Sequence, residues 1–247
     1  MIKSMLAGQT ALITGGARRI GRAIAGALAS RGVNIILHYN TSGNEAVDLR
    51  KELESFNVNV TIHRADLSNP GEAEGLISEA GGKDIDILIN NASSFGNDDI
   101  YSLTYDDLIR HITINAYAPL AISRAFALER KEGSIINILD TRITLYDARH
   151  ASYHLSKRML FTATRMMAIE FAPGFRVNGI APGIVLPPEG RDDAYIEKIA
   201  ENYPLKRTAT MDDISDAVLF ILRSRAMTGQ ILYLDGGSHL QGCAYGM

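Results

Sequence analysis

The chain has 247 residues, 46% of them hydrophobic and 21% charged, which is enough for one domain with a substantial core and excludes a disordered or low-complexity chain. Its formal charge is −3, from 25 basic and 28 acidic residues, with no basic block of five or more, so nucleic acid and anionic membranes are poor partners and small molecules better ones. Met1 to Gly8 lack a signal-peptide stretch, no run approaches the roughly 20 apolar residues of a membrane span, and a single cysteine, Cys243, excludes an internal disulfide or cysteine metal cluster; a soluble cytoplasmic protein without a metal is expected.

Short apolar runs alternate with longer stretches of helical periodicity. Thr10 to Thr14 reads as a strand and Gly21 to Arg31 as a helix; Asn34 to His38 and Asn44 to Phe56 repeat the pair. Further strand-like runs stand at Val58 to Arg64, Ile85 to Asn90, Ser134 to Leu139, Arg176 to Ile180 and Ile231 to Leu234. Runs that are continuously β-branched rather than alternating belong to strands buried on both faces. The expected fold is therefore α/β, a single-domain Rossmann-type doubly wound parallel sheet with helices on both faces. No repeat or linker divides the chain. One long irregular stretch, Ala181 to about Asp193, holds Pro182, Gly183, Pro187, Pro188 and Gly190, and residues 184–203 are expected to form a substrate loop.

The first strand runs into Gly15-Gly16-Ala17-Arg18-Arg19-Ile20-Gly21. Glycines let a backbone approach a pyrophosphate, and the helix that follows, Arg22-Ala23-Ile24-Ala25, offers free N–H groups at its start. A plain tight turn has the same local pattern, but the position at the first βα junction favours a dinucleotide site, with Arg18 and Arg19 adding positive charge. The second strand ends in His38-Tyr39-Asn40, with no acid before Glu45. A carboxylate there would bind the ribose 2′-hydroxyl of NAD; its absence, with Arg18 nearby, points to NADP(H), a solvated loop of indifferent specificity being the alternative.

Later segments supply polar groups at the same sheet edge. Asp66 and Leu67 follow the third strand, where a carboxylate could accept from an adenine amine, and Asn90-Asn91-Ala92-Ser93 ends the fourth. Asn115 lies in an apolar helix, Ile112 to Ala121, where an amide is costly unless bonded. Tyr153 and Lys157 share one face of a helix over residues 151–171, so the ammonium is expected to lower the phenol pKa toward neutrality. An isolated Tyr-x-x-x-Lys is equally an aromatic packed on a lysine stem. Asp140 stands thirteen residues before the tyrosine, and Pro182-Gly183 closes a later strand.

Taken together these segments resemble the short-chain dehydrogenase/reductase family over essentially the whole chain. Its Thr-Gly-x-x-x-Gly-x-Gly motif corresponds to Thr14 to Gly21, its Asn-Asn-Ala-Gly to Asn90 to Ser93, its helix asparagine to Asn115, its Tyr-x-x-x-Lys to Tyr153 and Lys157, and its Pro-Gly to Pro182-Gly183. Three departures resemble one branch, the pteridine reductases: Arg19 at the middle glycine, Ser93-Ser94-Phe95 in place of a glycine turn, and Asp140 in the serine slot. His38-Tyr39 is also similar to that branch's NADPH-binding loop.

The resemblance implies a homotetrameric, NADPH-dependent reductase of a pterin or dihydrofolate-type ring C=N bond. Tyr153 and Asp140 would handle the proton, Lys157 would bind the nicotinamide ribose and tune Tyr153, and Asn115 would hold a water. Arg19, Ser93 and Phe95 would position the substrate ring, Phe95 by stacking. Each has a plainer reading: Phe95 as packing, Asp140 as a turn cap or partner of Arg142, and His150 and His154 as surface histidines. Two rival functions are a carbonyl reductase, such as a 3-oxoacyl-thioester reductase with Thr141 replacing the serine, and a non-catalytic NADPH-binding sensor.

Overall fold

In the computed structural model, which describes residues 6–146, 148–187 and 190–243, seven apolar runs form one parallel sheet. The strands are β1 (Thr10–Ile13), β2 (Asn34–Tyr39), β3 (Val60–Arg64), β4 (Ile87–Asn90), β5 (Gly133–Ile138), β6 (Phe175–Pro182) and β7 (Ile231–Leu234). Their order is β3-β2-β1-β4-β5-β6-β7, with every pair parallel. The helices are α1 (Arg19–Ala29), α2 (Gly43–Glu54), α3 (Pro70–Glu79), α4 (Tyr105–Ile112), α5 (Ala118–Glu129), α6 (Ala151–Glu170), α7 (Asp193–Ala200) and α8 (Met211–Arg223).

Alternation along each strand explains why both faces are apolar. Ala11 and Ile13 of β1 join Ile35, Leu37, Ile87 and Ile89 under α1, α2 and α8, while Leu12 joins Ile36, Leu88, Ile135 and Val177 under α3, α5 and α6. The strand order reverses between β1 and β4, and in such sheets ligands bind at that switch, beyond the carboxyl ends of the strands. Thr14 and Asn90 stand at this edge, and so do the residues that follow β5.

Two expected elements differ in detail. The helix predicted over Ile112 to Ala121 is interrupted by a π-helical turn, Thr113–Tyr117, that centres on Asn115. Within residues 184–203, the second half is not loop but α7, started by the Asp192 side chain accepting from the Tyr195 N–H. The readings made on Met1 to Met5 and Pro188, on the tail beyond Cys243, and on the Cys243 side chain lie outside the described residues.

Candidate active site

The turn after β1 is built from close backbone approach. Gly15 has φ +60, and a Cβ on Gly21 would lie 2.3 Å from the Gly15 carbonyl oxygen, so both positions require glycine. Asn91 clamps the turn from β4: its Nδ2 donates to the carbonyls of Thr14 and Gly15, each at 3.0 Å. The Thr14 hydroxyl in turn accepts from the N–H groups of Asn91 and Ala92. α1 starts here with no side-chain cap on Arg18, and the first N–H groups of a helix lack intrahelical partners. Arg19 adopts φ 50, a conformation costly for a residue with a side chain. This cradle of glycine backbone fits a dinucleotide pyrophosphate.

His38 lies beneath the turn rather than at the ligand edge. It is 2% exposed; its Nδ1 accepts from the Gly15 N–H and its Nε2 donates to the Ala65 carbonyl. Both ring nitrogens are committed to backbone, so His38 braces the turn from beneath. Burial holds the ring neutral, with its pKa lowered to about 4. Tyr39 is half-buried against Gly43, and Asn40 is exposed at the tip. Arg18 is not a free cation either: its guanidinium meets Glu45 at 2.5 Å, because α2 brings that acid back to the edge left open by β2. Asp66 accepts from the N–H and hydroxyl of Ser68, which hold its carboxyl below the usual range, while the Leu67 side chain belongs to the core.

Across the switch point, α6 presents Tyr153 and Lys157 to the end of β5. The Tyr153 hydroxyl donates to Asp140 Oδ2 at 2.8 Å, and Lys157 Nζ donates to the Ile138 carbonyl at 2.8 Å. The ammonium is 5.8 Å from the tyrosine ring centroid. The phenol pKa is not lowered as the spacing suggested: burial, then the charge and hydrogen bond of Asp140, push it well above 10. Burial also lowers Lys157, to about 8, against the opposing pull of Asp140. Tyr153 is therefore a protonated donor near neutral pH. Asp140 does cap a turn as well, since its Oδ1 accepts from the Arg142 N–H at 2.8 Å.

Asn115 is fully buried and its amide is saturated. Oδ1 accepts from the Ser94 N–H and the Ser93 hydroxyl, and Nδ2 donates to the Ser94 carbonyl and to Ser156 Oγ. With its side-chain amide fully used, Asn115 ties the Ser93–Ser94 segment to α6. Ser156, which completes this joint by donating to the Tyr153 carbonyl, had no signal in the sequence beyond lying between Tyr153 and Lys157.

Phe95 is 60% exposed, with its ring centroid 4.7 Å from Tyr153 and 4.4 Å from His150. His150 is thus half-buried beside the site, its Nδ1 bonded to the Gly96 carbonyl, and not a simple surface residue. Thr141 does not take over for a serine: it is buried and its hydroxyl donates to Asp235. Pro182 ends β6, and the Gly183 N–H donates to the Leu234 carbonyl, placing both at the same edge. Among the described residues there is no cluster of three metal-ligating side chains, and no helix is long and apolar enough to cross a membrane.

A family model described as enoyl-(acyl carrier protein) reductase matches residues 15–239. Among solved structures, alternative dihydrofolate reductase 1 (FolM) of Brucella suis, in complex with NADP, superposes with a TM-score of 0.91 at 34% identity, over 98% of each chain. Pteridine reductase 1 of Leishmania tarentolae is 29% identical over 93% of this chain and 96% of its own. The 3-oxoacyl-[acyl-carrier-protein] reductase FabG of Staphylococcus epidermidis is 27% identical over 94% of this chain and 99% of its own. The chain belongs to the short-chain dehydrogenase/reductase family of oxidoreductases, and it is similar to that family's pteridine reductase-like members.

Proposed function

We propose that this oxidoreductase uses NADPH to reduce a ring C=N bond of a pterin or dihydrofolate-type substrate. The observation that carries the reading is the Tyr153–Asp140 pair, a phenol donating to a carboxylate at 2.8 Å beside an exposed Phe95 ring. The likeness to proteins named pteridine reductase and alternative dihydrofolate reductase supports it. NADPH, when bound, supplies the hydride. The Gly15–Gly21 turn would hold its pyrophosphate, Arg18 its 2′-phosphate, Asp66, Asn91 and Ala92 the adenine and ribose edge, and Lys157, Pro182 and Gly183 the nicotinamide end.

The chain's own contribution is to orient the ring and deliver a proton. A carboxylate beside a developing alkoxide is repulsive, so Asp140 is ill matched to a ketone. A ring nitrogen becomes basic as its C=N bond is reduced, and it accepts a proton from Tyr153, which Asp140 holds in place and re-protonates from solvent. Phe95 provides a flat face for the ring, with Ser93 and Arg19 at its polar edge. A homotetramer of cytoplasmic enzyme is proposed from the family; light scattering near four times 26.9 kDa tests the assembly.

The deciding assay follows NADPH oxidation side by side with dihydrobiopterin, dihydrofolate and an acetoacetyl thioester. Turnover of a dihydropterin or dihydrofolate, reduced about 10- to 100-fold in Asp140→Ser, is expected. Turnover of the thioester alone would transfer the site to carbonyl reduction. NADPH binding without turnover of any of the three would point to a sensor.

A further inference from the structure

Asp235 has no part in the reaction described above, yet it is 2% exposed and densely bonded. It directly follows β7, at the edge of the sheet, and accepts from the Gly237 N–H at 3.0 Å, the Ser238 hydroxyl at 2.9 Å and the His239 N–H at 2.9 Å. His239 Nδ1 adds a further contact at 2.9 Å, and its ring is fixed by stacking on Tyr233 at 4.3 Å. The remaining donor comes from the other side of β6: the Thr141 hydroxyl, ninety-four residues away in sequence. Burial alone would raise the Asp235 pKa, but the bonds from Thr141 and His239 outweigh it and keep the group ionised.

Thr141 is covalently next to Asp140, so whatever holds Thr141 also holds the backbone that carries the Asp140 carboxylate. Thr141 is buried, and it begins the 3₁₀ turn Thr141–Ile143 that Asp140 caps. Arg158 grips the outer side of this segment through the carbonyls of Arg142 and Leu145, and Asp235 grips the inner side. A charge-assisted bond into a rigid, saturated carboxylate is a stronger tether than one neutral hydroxyl gives another. We propose that Asp235 is a positioning residue for proton transfer, acting through Thr141 to set the Asp140 turn so that its carboxylate meets the Tyr153 hydroxyl. The C-terminal Asp235–His239 segment thereby becomes part of the active-site scaffold. This rests on the reading of Asp140 and Tyr153 as the proton-transfer pair.

The test compares Thr141→Val, which keeps the volume and removes the donor, with Thr141→Ser, which keeps the donor. A displacement of the order of 1 Å at a reacting group costs about 100-fold. The expected result for Thr141→Val is a kcat about 10- to 100-fold lower, with NADPH binding by fluorescence unchanged, and recovery in Thr141→Ser. Asp235→Asn, which cannot satisfy the same donors, should show the same loss and serves if Thr141→Val does not fold. A crystal structure of the variant should show the 2.8 Å Tyr153–Asp140 bond lengthened or broken. Wild-type kcat in Thr141→Val or Asp235→Asn, or an intact bond in the variant structure, would overturn the proposal. The crystallographic comparison needs no substrate, and kcat is read on whichever substrate the enzyme turns over, so a wrong substrate assignment would leave this result interpretable.

Discussion

The turn after β1 and the turn after β5 lie at the same edge of the sheet but are held by opposite means. Around Gly15 and Gly21 the contacts are to backbone: a Cβ has no room, the Gly15 N–H is taken by His38, and Asn91 binds the carbonyls of Thr14 and Gly15. Around Asp140 side chains meet side chains as well as backbone: Tyr153 donates to Asp140, Thr141 to Asp235, and Phe95 rests on Tyr153 and His150. The first arrangement offers a ligand main-chain groups of fixed position and is indifferent to most side-chain changes. The second is assembled from distant segments and can be retuned by one substitution.

The contrast is sharpest at Tyr153. Tyr153→Phe removes the proposed proton donor while leaving the β1 turn untouched, so turnover should fall about 100- to 10,000-fold with NADPH affinity retained. A matching loss of NADPH binding in fluorescence titration would mean the two sides are not separable. Gly21→Ala is the converse: the added carbon meets the Gly15 carbonyl at 2.3 Å, and relieving it costs about 1–3 kcal/mol. NADPH binding should weaken about 10- to 100-fold, with much of the kcat recovered at saturating cofactor. Unaltered affinity would show that the turn is not the tight backbone cradle described.

His38 gives the cofactor side a pH signature. Its folded pKa of about 4 lies below the ordinary 6.5, so the unfolded chain binds more protons between those values and stability rises with pH across the window. The contribution is fully present above pH 6.5 and is lost as pH falls to about 4, a change of about 3 kcal/mol. Melting curves from pH 7 to 4 should show this slope, and His38→Asn should flatten it at the cost of a lower melting temperature at pH 7. An unchanged slope would remove His38 as its source. The smallest effect is expected at Glu45, whose ion pair with Arg18 is exposed at 39% and 62% respectively. Glu45→Gln frees Arg18 for a phosphate, and since exposed pairs are worth about 0–1 kcal/mol, the KM for NADPH should drop by about fivefold at most. A rise in that KM would place Arg18 elsewhere.

What could be read from sequence was what local rules govern. Apolar runs marked all seven strands to within about two residues, and in the five inner strands burial on both faces leaves no alternation to read. Glycine spacing revealed the β1 turn, since sterics over seven residues decide it, and Tyr153, Lys157 and Asp140 were found from their positions. Their electrostatics were not: a neighbouring lysine predicted a lowered phenol pKa, whereas the folded chain buries Tyr153 against an acid and raises it. The His38 burial, the four bonds of Asn115, the return of Glu45 to Arg18 and the reach of Thr141 to Asp235 were equally hidden. Sequence determined the strands, the glycine cradle and which candidate groups gather at the sheet edge, because periodicity and backbone sterics act between near neighbours. Only tertiary structure decided which of those groups are charged, which are already bonded and which face the ligand edge, because burial and charge act through space between segments as far apart as Thr141 and Asp235.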